Sequence, residues 1–162
     1  MGELDLPEPE PEPRPPTIVA TEDVPPEPDR HGKVDSQWRD LGIAVGSVLS
    51  GLNQVDIAPG ARSCPFHCHG AEEEIFVVLA GDGTLRLGNE LHPVQPGHVV
   101  ARPPATRIAH QFIAGERGLT LLAWGTREAN DVVFYPDSNK VSLRGVGIKF
   151  RVQPLDYWDG EE

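Results

Sequence analysis

Apolar residues along this chain fall into short runs or strict alternation with polar ones, a period of two rather than the three-to-four spacing of an amphipathic helix. Such stretches occupy 44–49, 52–57, 75–80, 84–87, 99–101, 109–113, 119–124, 132–135 and 147–152, each of ordinary strand length. Turn-forming clusters separate them: Ala58-Pro59-Gly60, Gly81-Asp82-Gly83, Gly88-Asn89, Gln95-Pro96-Gly97, 115–118 and 136–139. Gly81-Asp82-Gly83 reads as a hairpin that folds 84–87 back onto 75–80. The one place for a helix is a single turn near 34–41, and no internal repeat is evident. Short strands punctuated this evenly predict an all-β sandwich or barrel. A jelly roll, also called a double-stranded β-helix, is the form that encloses a pocket where strand-borne side chains meet.

Composition divides the chain in two. Residues 1–30 hold nine of the 17 prolines and nine acidic residues against Arg14 and Arg30. Such a segment favours extended polyproline conformation and cannot bury apolar surface, so it is expected to be a disordered or surface-wrapping arm. Thr17-Ile18-Val19-Ala20 is its one stretch able to add an edge strand. Residues 31–162 are then one domain with a C-terminal tail, of a size that supports a single core. Of the formal charge of −11, the arm carries −7 and the body −4. A mildly acidic body argues against nucleic acid, whose phosphates need a basic face, and against anionic membrane surfaces. No stretch reaches the roughly 18 to 20 apolar residues that span a bilayer, and the acidic N-terminus lacks the form of a signal peptide, so a cytoplasmic location is expected.

The chemistry concentrates around His67-Cys68-His69, Glu74 and His110. On a strand, side chains two apart share a face, so His67 and His69 converge while Cys68 turns away with Phe66. Glu74 opens a buried apolar run, where an unpaired carboxylate is costly and a divalent cation would compensate it. His110 begins the 109–113 stretch and can complete the set from a neighbouring strand, giving three imidazoles and one carboxylate. Cys64 and Cys68 bracket the first histidine and are expected as free thiols, with zinc held through both sulfurs as the alternative.

Gly60, His67-Cys68-His69, Glu74 and Gly81 resemble the first motif of the cupin superfamily, although the six residues between Gly60 and His67 are one more than usual. The second motif is partly preserved: Pro96-Gly97, Pro103-Pro104 and His110 are in place, while Thr106 stands where glycine is common and Ala114 where asparagine is. The resemblance covers about 41–124. The remainder of the chain, 135–140 through 155–161, is similar to small single-domain cupins described as sugar-phosphate isomerases. It implies a jelly-roll cupin barrel, one divalent transition metal on His67, His69, Glu74 and His110, and activity on a small oxygenated metabolite.

Nitrogen-rich donors of this kind suit Mn, Fe, Ni or Zn and disfavour Mg or Ca, and four protein ligands on an octahedral ion leave two adjacent positions for a bidentate small molecule. Sugar-phosphate isomerisation or related Lewis-acid chemistry is the leading expectation. An iron-dependent dioxygenase and a non-enzymatic ligand-binding module are the alternatives, and an interaction protein working through the acidic arm is a third. Arg62 and Arg107 are candidates to hold a phosphate or carboxylate, and Phe76 and Phe112 to line the cavity. Glu72 and Glu73 are expected as a solvated charge cluster, His31, His92 and His98 as structural residues, and Tyr157-Trp158 as a packing tail. The apolar run 75–80, apolar on both strand faces, points to a homodimer.

Overall fold

The computed structural model describes residues 17–161 and is all-β. Eleven strands run in chain order: β1 Glu27–His31, β2 Val34–Asp40, β3 Ser50–Ile57, β4 Cys68–His69, β5 Glu74–Leu87, β6 Glu90–Val94, β7 Val99–Arg102, β8 His110–Thr126, β9 Val132–Tyr135, β10 Lys140–Leu143 and β11 Ile148–Arg151. One turn of α-helix, α1 Leu41–Ala44, lies between β2 and β3, and short 3-10 turns lie at Thr21–Asp23, Pro136–Ser138 and Arg144–Val146. They form a seven-stranded antiparallel sheet, ordered β1-β2-β3-β8-β5-β6 with β7 also on β5, and a four-stranded sheet ordered β11-β10-β9-β4. This is the expected jelly-roll barrel. Backbone bridges at Arg62–Ile113 and His67–His110 tie the segment leading into β4 to the long strand β8.

Alternation builds the core. Along β8, Phe112, Ala114, Leu119, Leu121 and Ala123 point inward; they meet Phe76, Val78 and Leu85 of β5 and Val55 and Ile57 of β3. A smaller apolar cluster of Phe66, Cys68 and Ala109, flanked by Phe134, sits on the other face of the His67–His69 segment, as the period of two requires.

The hairpin expected at Gly81-Asp82-Gly83 does not form. β5 continues straight through it, paired with β8 from Glu74–Gly125 to Leu87–His110, and the true hairpin turn is Gly88-Asn89 into β6. Gly81 has φ +82°, and a Cβ there would stand 2.1 Å from the Gly118 carbonyl oxygen. The two glycines therefore allow close strand contact and a bend rather than a reversal. The 115–118 cluster is a bulge on the partner strand, because Gly81 pairs with Leu119 and Gly83 with Ala114.

The turn of helix expected near 34–41 is instead strand β2, and the helix follows it, capped by Asp40, whose side chain accepts from Ile43 N–H at 2.8 Å. That cap converts the apolar stretch 44–49 from strand to helix end and surface loop, with Val48 and Leu49 both 81% exposed. Residues 1–16, most of the expected arm, lie outside the described residues. Thr17-Ile18-Val19-Ala20 does not supply the edge strand; Glu27–His31 does, and it carries Pro28 at the sheet edge, where a missing N–H is tolerated. The last residues of the arm thus belong to the sheet.

Candidate metal centre

The segment carrying His67 and His69 lies against β8 because His67 and His110 exchange backbone hydrogen bonds, His67 N to His110 O at 3.2 Å and His110 N to His67 O at 2.8 Å. The imidazole centroids of these two residues are 4.7 Å apart, and those of His67 and His69 are 5.0 Å apart. Glu74, the first residue of β5, completes the group: its Oε2 lies 3.3 Å from His110 Nε2 and 3.6 Å from His69 Nε2. Ligand atoms of His67, His69 and Glu74 all fall within 4.8 Å of one another. The four residues expected to form one site are brought together.

Their electrostatics suit metal coordination. His69 Nε2 and Glu74 Oε2 are buried without a hydrogen-bond partner among the described residues, as is His110 Nδ1. Buried polar atoms are nearly always paired, so two orphans facing each other mark a place for a further group. Burial, reinforced by the neighbouring His69, pushes the His67 pKa down to about 4. Burial and the proximity of His67 push His110 well below the ordinary histidine value. Both imidazoles are neutral at physiological pH, the form that coordinates metals. Burial raises the Glu74 pKa, opposed by His69. A divalent cation would reverse that penalty, so the donor set fits one.

The donors sit on one wall of a cavity of about 830 Å³. Phe76 and Phe112 line it as expected, together with Trp38, Leu121, Trp124 and Tyr135. Arg62 and Arg107 do not. Arg107 is an exposed residue in left-handed conformation, φ 58°, in the loop before β8, and Arg62 is half-buried, its backbone bridged to Val34 and Ile113. The cationic side chains that line the cavity are Arg127, Arg144 and Lys149. They were not legible as site residues, since they lie beyond the motif region: Arg127 directly follows β8, and Arg144 and Lys149 return only because β10 and β11 fold back.

Glu72 is not solvated. Its side chain is 5% exposed, forms an ion pair with Arg144 and accepts Glu128 N–H at 3.0 Å. Asp131, which no sequence signal singled out, is fully buried with its Oδ2 2.6 Å from His69 Nδ1. Cys64 and Cys68 are free. The zinc arrangement through both sulfurs is not formed, because Cys68 is packed in the apolar cluster on the opposite face. Cys64 faces the cavity 3.8 Å from His67 Nδ1, and burial pushes its thiol up to about 12. His31, His92 and His98 are exposed, and His92 bonds only Glu90, at 3.0 Å. Tyr157 and Trp158 pack edge to face on each other and stay 83% and 70% exposed.

A jelly roll with this inward donor set has the architecture of a cupin barrel. The cupin domain family matches residues 53–124. The fold is similar, with a TM-score of 0.78 and 29% identity over 87% of this chain and 97% of the other, to a provisionally assigned sugar phosphate isomerase of Acidithiobacillus ferrooxidans. It is similar likewise, at 0.75 and 25% identity over 86% and 97%, to a cupin superfamily sugar phosphate isomerase of Silicibacter pomeroyi. Residues 53–124 are thus a cupin domain, and the chain as a whole resembles these two proteins. A segment of 59 residues, 33% of the chain, is 45% identical to an auxin-binding protein of Nicotiana tabacum, of which it spans 30%. Among the described residues no helix is long and apolar enough to cross a membrane.

Proposed function

We propose that this chain is a metal-dependent enzyme that isomerises a small sugar phosphate or closely related oxygenated metabolite. His67, His69, Glu74 and His110 would hold one Mn, Fe, Ni or Zn ion. The observation that carries the reading is the pair of buried, unpartnered atoms His69 Nε2 and Glu74 Oε2, 3.6 Å apart on the wall of a large cavity. A bound cation of this kind supplies Lewis acidity toward a carbonyl or hydroxyl oxygen. His67 donates Nδ1–H to the Pro65 carbonyl at 2.8 Å, which leaves its Nε2 lone pair free. Trp38, Phe76, Phe112 and Leu121 give the cavity apolar walls, and Arg127, Arg144 and Lys149 would supply positive charge for a phosphate. The two isomerase-named neighbours, matched over nearly their full length, support the substrate class.

The auxin-binding relative favours a second reading, a non-enzymatic small-ligand pocket, and the aromatic walls suit it equally. Elemental analysis of tag-free protein purified without chelator separates the two, with sugar-phosphate turnover assayed on the same sample and His69→Ala as control. One equivalent of transition metal, lost in the variant together with turnover, supports the enzyme. Stoichiometric iron with oxygen consumption would move it to a dioxygenase, and no metal after reconstitution would leave the binding module.

We also place a homodimer contact on the outward face of β5 and β7, where Ile75 and Val77 are half-buried and Leu79 and Val99 are 46% and 64% exposed. Sedimentation showing only monomer at micromolar concentration would overturn it. A cytoplasmic location remains part of the proposal.

A further inference from the structure

Asp131 is remote in sequence from every metal-site residue except through the fold, and its side chain is fully buried beside His69. Its own backbone is fixed at both ends, N–H to Glu128 O and C=O to Arg144 N, each at 3.0 Å. Oδ1 accepts the backbone N–H of Ala71 at 2.8 Å and of Glu72 at 3.3 Å. Oδ2 faces His69 Nδ1 at 2.6 Å. An ionised carboxylate only accepts, so the His69 proton must reside on Nδ1 and the lone pair on Nε2, the atom aimed at Glu74. The nearest competitor, Glu72 Oε2, stands 3.7 Å from Nδ1, outside hydrogen-bond reach, and its other oxygen is engaged by Arg144 and Glu128.

We propose that Asp131 is the positioning residue of the cation site, fixing the ring orientation and tautomer of His69 through a carboxylate–imidazole hydrogen bond. The proposal rests on the metal reading above for its affinity consequence, but not for the tautomer. Asparagine is the discriminating substitution because it matches aspartate in size while replacing one acceptor by a donor. The oxygen must stay toward Ala71 and Glu72 N–H, so the amide nitrogen faces His69 and donates to Nδ1. The ring proton then moves to Nε2 and blocks the metal-binding lone pair.

Two measurements test this. Long-range proton–nitrogen correlation on metal-free wild type should show His69 protonated at Nδ1, and at Nε2 in Asp131→Asn. Zn²⁺ titration by calorimetry should show the variant weakened by roughly 10–100-fold, the usual effect of losing an outer partner of a metal-binding histidine. A wild-type His69 protonated at Nε2, or a loss of affinity below tenfold in a folded variant, overturns the proposal. If Asp131→Asn does not fold, the wild-type tautomer decides alone. If wild type takes up no Zn²⁺ while His69 carries Nδ1–H, the metal reading fails and the positioning bond stands.

Discussion

Two polar clusters meet at His69, and they are built on opposite principles. On its Nε2 side, His69 Nε2 and Glu74 Oε2 are buried without hydrogen-bond partners among the described residues. On its Nδ1 side, Asp131, Glu72 and Arg144 are tied to one another and to the backbone of 71, 72 and 128. Both clusters are buried, and both bring carboxylates out of water at a cost of several kcal/mol each unless they are paired. Only the second is paired from within the chain. The contrast separates a cluster satisfied from within the chain from one whose donors fit a cation, a distinction that residue type alone would not make.

The largest expected effect removes the open side. His69→Ala should abolish stoichiometric divalent binding, a larger loss than the roughly 10–100-fold of an outer-partner change. It should also abolish the rise in melting temperature that a saturating metal gives the wild type, since a ligand stabilises only the state that binds it. Scanning calorimetry with and without Zn²⁺ checks both, and a variant still stabilised by metal would make the two clusters equivalent after all.

Glu72→Ala breaks the closed side. Leaving a buried charge unpaired costs about 3–5 kcal/mol, but Arg144 is 40% exposed and can turn to water, so the expected loss is smaller, about 1–3 kcal/mol. Urea denaturation of the metal-free protein measures it. Glu74→Gln is the matched change on the open side and should behave oppositely: it removes an uncompensated buried charge, so metal-free stability should hold or rise by up to about 1 kcal/mol while metal affinity collapses. A destabilisation like that of Glu72→Ala would show that Glu74 is structural.

How much of this was legible follows the same division. The open cluster could be found from sequence because strand periodicity places His67 and His69 on one face and the carboxylate at the head of β5 needs a partner. The closed cluster could not. Asp131 reaches His69 across 62 positions through the β4–β9 pairing, and the run Glu72-Glu73-Glu74 looks uniform although its first member is buried and ion-paired. For the fold, alternation located β3, β7, β9 and β11, whereas Gly81-Asp82-Gly83 misled because glycine permits a bulge as readily as a turn. Strands β1, β2, β6 and β10 were missed because their sequences hold too few apolar residues to set a pattern, only Val34 and Trp38 in β2, Leu91 and Val94 in β6, and Val141 and Leu143 in β10.

The smallest effect concerns an exposed ion pair between β5 of the large sheet and the turn that joins β9 to β10 of the small one. Arg86 of β5 holds Asp137 through two hydrogen bonds, at 2.6 and 2.9 Å, while its guanidinium lies 3.6 Å above the Phe66 ring. The bonds from Arg86 hold the Asp137 carboxyl below its ordinary value of 3.8. A depressed folded pKa means the unfolded chain binds its proton first, so the stabilisation is complete above the ordinary value and is lost as pH falls through the folded one. Because Asp137 is 46% exposed, solvent limits the gain to about 0.2–1 kcal/mol. Asp137→Asn should therefore lower stability by that amount at neutral pH, and the gap to wild type should close in acid, below the ordinary aspartate value. Paired urea titrations across that range read the difference directly. A gap that persists in acid would assign the effect to packing around Phe66, and one of about 2 kcal/mol or more at neutral pH would place this surface pair with the Glu72–Arg144 contact instead.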